Sequence, residues 1–156
     1  MKIKIEYGDI SQYDDKVDVI VNAWNRNFIP HKMLITHGVS KAIKERAGLE
    51  PFNEIQKKGI LSLGEAVLTS PGKMRCKGII HVAGIGLLWN SSEQAIRLSI
   101  KNAMTIVVTK KLNSIAIPLI GCGGSKFAPE KCVSIISEEL NKWNLNIEAI
   151  IVIYKE

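Results

Sequence analysis

No apolar run in this 156-residue chain reaches the length of a membrane span, because Glu, Lys, Asn or Pro interrupts each one. The start, Met1-Lys-Ile-Lys-Ile-Glu-Tyr7, lacks the apolar core of a signal peptide and reads as a first strand. Cysteine is scarce. Cys76, Cys122 and Cys132 are an odd count without metal-ligand spacing, which argues against disulfides and a structural metal and makes the cytoplasm the expected compartment. Aromatic residues, 6% of the chain, do not interleave with the basic ones. The lysines are scattered (Lys41 and Lys44, Lys57 and Lys58, Lys73 and Lys77, Lys110 and Lys111), so a nucleic-acid partner is not expected. Acidic residues are in deficit, 15 against 21 basic, and the resulting charge of +6 suits an anionic ligand.

What is present is an alternation of strands and helices within one domain, residues 1–156, with no linker or repeat. Residues 2–7 alternate as a half-buried edge strand, and Val17-Asp-Val-Ile-Val21 reads as a central one. Val39 to Ala47 reads as a helix stopped by Gly48, and Pro51 to Lys58 as a short one with Pro at its start. Glu65 to Ser70 and Gly78 to Gly84 are strands joined through a Pro71-Gly72 turn. Ser92 to Lys111 is the longest helix, with Ser92 as its N-cap. Ile115 to Ile120 is a buried strand, a helix follows Pro129, and Ile147 to Tyr154 is the last strand. The sheet is therefore mixed and mostly parallel.

Three loops leave C-terminal strand ends: Asn22 to Gly38, Gly84 to Asn90, and Gly121 to Phe127. In α/β sheets that rim is where ligands bind. The third loop, Gly121-Cys122-Gly123-Gly124-Ser125, joins a strand to a helix start, where backbone N–H groups favour a phosphate; a plain turn using glycine is the alternative.

Six segments together resemble a macrodomain. They are Gly8-Asp9-Ile10, Asp18-Val-Ile-Val-Asn-Ala-Trp-Asn25, Gly38-Val-Ser-Lys-Ala-Ile43 ending in Arg46-Ala-Gly48, Gly64-Glu-Ala-Val67, Ile79-Ile-His-Val-Ala-Gly84, and the Gly121 loop. The resemblance runs from about Tyr7 to Leu140 and is that of a divergent, stand-alone bacterial-type member. It implies a three-layer α/β/α sandwich around a mixed, mostly parallel six-stranded sheet. It also implies an ADP-ribose cleft at the strand C-termini. No cofactor, metal or membrane partner is expected.

By the same resemblance, Asp9 would accept a hydrogen bond from the adenine amine, supported by the backbone N–H and apolar side of Ile10; a turn or cap role is the alternative for Asp9. Asn25 would point at the distal ribose, whereas Asn22 would tie loop backbone together. Gly38, Val39 and Ser40 would form the first diphosphate loop and Gly121 to Ser125 the second. Phe127 is either an apolar wall of the cleft or core packing, and Trp24 and Trp89 either line the cleft or anchor its loops. His81 reads as a satisfied core histidine, and Cys122 as a small packed residue.

The departures bear on catalysis. Thr36-His37-Gly38-Val39-Ser40 lacks the glycine triplet of many family hydrolases, and Ser40 stands where their water-activating acid would be. Ser125 stands where another branch carries its catalytic Asp. His37 is the remaining candidate: a general base, a diphosphate or ribose contact, or an ordinary loop histidine. Asn25 is the other candidate, as part of a network ordering water. The resemblance leaves open an ADP-ribosyl hydrolase or O-acetyl-ADP-ribose deacetylase, a non-catalytic ADP-ribose reader, and a protein that binds RNA or poly-ADP-ribose.

Overall fold

The computed structural model describes residues 1–25, 38–85, 91–122 and 127–154. The first strand, β1 (Lys2–Tyr7), alternates lysine and isoleucine and lies at a sheet edge, as the pattern predicts. Asp9 then caps a short 3-10 helix, Ile10–Tyr13. The remaining elements are β2 (Val19–Asn25), α1 (Gly38–Ala47), α2 (Glu50–Lys57), β3 (Ala66–Thr69), β4 (Gly78–Ile85), α3 (Glu93–Thr109), β5 (Ser114–Pro118), α4 (Pro129–Asn141) and β6 (Glu148–Ile153). The sheet order is β1-β6-β5-β2-β4-β3, and only the β3–β4 pairing is antiparallel.

The two faces are covered by different helices. On one, Ile96, Ile100, Met104 and Val107 of α3 and Ile135, Ile136 and Leu140 of α4 bury Val19, Val21, Val82, Ile115, Ile117 and Ile151. On the other, Ile10 and Tyr13, Ile43 and Ala47 of α1, and Phe52 and Ile55 of α2 bury Ile20, Ile79, Ala116, Ile150 and Val152. Neighbouring residues along each strand supply opposite faces, which is why the central strands read as nearly continuous apolar runs. Ser92 caps α3 as expected, its Oγ accepting from the Ala95 N–H at 3.1 Å.

The second strand differs from its expected span. It begins at Val19 rather than Val17 and continues through Asn22-Ala-Trp-Asn25, which the pattern placed in the following loop. Asn22 is fully buried inside it, and its Nδ2 donates to His81 Nδ1 on β4 at 3.0 Å instead of tying loop backbone together. A polar residue is tolerated in a central strand when its neighbour supplies the partner. Trp24 is 8% exposed and packs against Phe52 and edge-on to His81, so it anchors the core. Trp89 lies outside the described residues.

Candidate functional site

The connections after β2 and β5 diverge. From β2 the chain passes to α1 on one face; from β5 it passes to α4 on the other. Open α/β sheets form their ligand crevice at such a switch point, outside the strand C-termini. The strand pairing opens at that point. β2 pairs with β5 only at Val19–Ile115 and Ile20–Ala116, whereas β2 stays paired with β4 to Asn25–Ile85 and β5 with β6 to Pro118–Val152. Beyond Ile20 the sheet therefore splits between its two central strands.

Two helix starts flank that split. Gly38 opens α1 with φ +58, a left-handed conformation that glycine adopts without strain. Val39 and Ser40 follow it half-buried, and the first turn contains no acidic residue. α4 starts with Pro129, which has no N–H, and carries no side-chain cap; the Lys131 N–H donates to the Ala128 carbonyl at 3.0 Å, which leaves the Glu130 N–H of the first turn. The two helices cover opposite faces of the sheet, and each follows one of the two strands that border the split. Gly121 closes β5 with φ +75, and a Cβ there would collide with the Ser91 side chain. Gly84, at the end of β4, is approached just as closely by Ile120.

Asp9 and Ile10 stand beyond the end of β1. Asp9 Oδ1 accepts from the Ser11 N–H at 2.9 Å, which is the cap role; Oδ2 makes no hydrogen bond to the described residues. The Ile10 side chain is core, 3% exposed, so only its backbone is left to face a ligand. Phe127 packs half-buried against the cluster under α3 and α4. Asn25 ends β2. His37, Gly123, Gly124 and Ser125 lie outside the described residues.

Cys122 corrects the expectation that no disulfide forms. It is bonded to Cys132 of α4, with Cα atoms 6.7 Å apart, and Cys76 is the free, buried thiol. Ten residues of sequence separation do not reveal this contact; it arises because α4 folds back beside the end of β5. The bond ties the Gly121 turn to the helix whose start borders the crevice. Cys122 is thus not a small packed thiol.

Two buried polar clusters support the surrounding backbone. His81 Nδ1 accepts from Asn22, so Nε2–H donates to Thr69 Oγ1 at 3.0 Å. Complete burial pushes the His81 pKa down to about 3, and the ring is neutral. The core reading of His81 holds. Asp14, 2% exposed, accepts from Arg46 of α1 at 2.7 Å and from the Arg75 N–H at 2.9 Å. Burial is the largest single influence and opposes its charge, but Arg46 and Arg75 together hold its carboxyl below the ordinary value. Among the described residues, no cluster of His, Cys, Asp and Glu fits a metal. No helix there is long and apolar enough to cross a membrane.

The Macro domain family model matches residues 21–136, from within β2 to α4. The chain is a macrodomain. It is 30% identical over 167 residues to the O-acetyl-ADP-ribose deacetylase of Citrobacter koseri, covering 99% of this chain and 89% of that protein. It is 34% identical over 148 residues to an uncharacterized protein of Thermotoga maritima, of whose length it spans 23%. The solved Oceanobacillus iheyensis macrodomain with ADP superposes with a TM-score of 0.80 at 27% identity, over 99% of this chain and 84% of that one. The α/β sandwich with a mixed six-stranded sheet is thus the family fold, and relatives are known with a nucleoside diphosphate bound.

Proposed function

We propose that this macrodomain binds ADP-ribose in the crevice between β2 and β5. The observation that carries the reading is the end of β2–β5 pairing beyond Ile20 and Ala116, with the chain leaving these two strands for helices on opposite faces. A diphosphate there would accept from the N–H groups of Gly38, Val39 and Ser40 on one side and of the turn starting at Gly121 and Cys122 on the other. Asp9 Oδ2 is left to accept the adenine amine while Oδ1 holds the 3-10 helix. Asn25, at the end of β2, would face the distal ribose.

The test is calorimetric titration of ADP-ribose, with AMP and ADP as controls. The expected affinity is of micromolar order, about −8 kcal/mol. Asp9→Ala removes a charge-assisted hydrogen bond of roughly 1.5–3 kcal/mol, a ten- to hundredfold loss of affinity. No heat with ADP-ribose would refute the proposal, and an unchanged affinity in Asp9→Ala would take Asp9 out of the site.

Hydrolysis of an ADP-ribosyl or O-acetyl-ADP-ribose ester is the second reading, favoured by the likeness to the Citrobacter koseri deacetylase. Ser40 cannot act as the missing carboxylate base. Water activation would then fall to His37 or to a network around Asn25. Turnover of O-acetyl-ADP-ribose that is lost in His37→Ala with binding retained supports this reading; binding without turnover leaves a reader.

A further inference from the structure

The outer edge of β1 has the features of a self-pairing strand. Among the described residues, β1 is bonded on one side only, to β6. The Lys2 N–H donates to Ile147 O at 2.9 Å and the Gly8 N–H to Ile153 O at 3.0 Å. In a parallel ladder the inward-bonding residues alternate, so Lys2, Lys4, Glu6 and Gly8 bond to β6. The N–H and C=O groups of Ile3, Ile5 and Tyr7 therefore point away from the sheet. The side chains of these same three residues share one face; Ile3 packs partly buried against the core, whereas Ile5 is 51% exposed and Tyr7 66%. An edge strand with this length and apolar exposure is a template for another strand.

We propose that β1 pairs antiparallel with β1 of a second copy of this chain, about a two-fold axis through Ile5. In that register Ile5 lies opposite Ile5, Ile3 opposite Tyr7, and Lys4 opposite Glu6, each relation occurring twice or on the axis as symmetry requires. Every outward N–H and C=O of Ile3, Ile5 and Tyr7 is then used. The exposed apolar side chains cover one another, and on the other face each Lys4 meets a Glu6 of the opposite sign. Sliding the register by two residues sets Lys4 against Lys4 or Glu6 against Glu6. Sliding it by one puts the isoleucines on the charged face and turns the bonding groups out of phase. Charge and pattern together select one register, and the two-fold closes the assembly at two chains.

Sedimentation equilibrium over about 1 µM to 1 mM tests this. The wild-type mass is expected to rise from 17.3 kDa toward twice that value. Lys4→Glu alone sets Glu against Glu6 and Glu6→Lys alone sets Lys against Lys4, so each is expected to weaken association at least tenfold. An equimolar mixture of the two restores both opposite pairs and should form a heterodimer. Ile5→Lys, at an exposed position that the fold tolerates, places two ammonium groups on the axis and should stay monomeric with an unchanged circular-dichroism spectrum. A wild type that remains monomeric throughout overturns the proposal and leaves the edge to some other chain. So does a dimer that survives Ile5→Lys, or a mixture of the two folded charge variants that stays monomeric.

Discussion

Acidification from pH 7 to pH 5 tests the buried His81. In the folded chain its pKa is about 3, against an ordinary value of 6.5 that applies once the chain unfolds. Below about pH 6.5 the unfolded chain takes up a proton that the folded chain refuses, so stability is complete above that pH and falls as pH drops toward 3. The slope is about 1.4 kcal/mol per pH unit, and the loss between pH 7 and pH 5 is about 2 kcal/mol. For a domain of this size that corresponds to a fall in Tm of roughly 4–8 °C. The carboxylates interfere little in this window. Asp14, Asp18, Glu93, Glu138 and Glu148 are all held below ordinary values of 3.8 or 4.5, so their contribution fades only in more acid solution. The assay is calorimetric or circular-dichroism melting at both pH values, on wild type and His81→Gln. Gln can accept from Asn22 and donate to Thr69 without titrating, so its Tm should fall by much less. Equal falls in the two proteins would refute the assignment of the pH dependence to His81.

Gly72 has φ +58, and a Cβ there would collide with the Ala47 carbonyl, which already accepts from the Lys73 N–H at 2.8 Å. Gly72→Ala should destabilise by about 1–3 kcal/mol, read as a lowered urea midpoint. Asp14→Ala leaves Arg46 and the Arg75 N–H without their acceptor and is expected to cost about 1–3 kcal/mol in the same measurement. Thiol titration of the denatured, unreduced chain should find only Cys76, and reduction should expose Cys122 and Cys132 while lowering stability by about 2–3 kcal/mol.

The order and type of the elements are legible in the local pattern of the sequence. The Lys-Ile alternation of β1, the Ser92 cap, the Gly48 stop and the apolar stripes of α3 and α4 are local signals with periods of two or 3.6 residues. The same pattern tells which strand ends share one edge of the sheet, because parallel strands send their C-terminal connections to the same side. Ranked motifs in order were enough to mark a macrodomain. Tertiary structure decided what depends on residues distant in the chain. Asn22 could be placed inside β2 only once His81, 59 positions on, was its partner. Cys122 met Cys132 only when α4 turned back beside β5. The 3-10 helix after Asp9 rests on Tyr13 and Ile10 entering a core formed by β6 and α1. The split between β2 and β5 is likewise a property of register, since both strands carry the same kind of apolar pattern along their length. Period is written residue by residue, but pairing is chosen among segments that look alike, and only packing selects one.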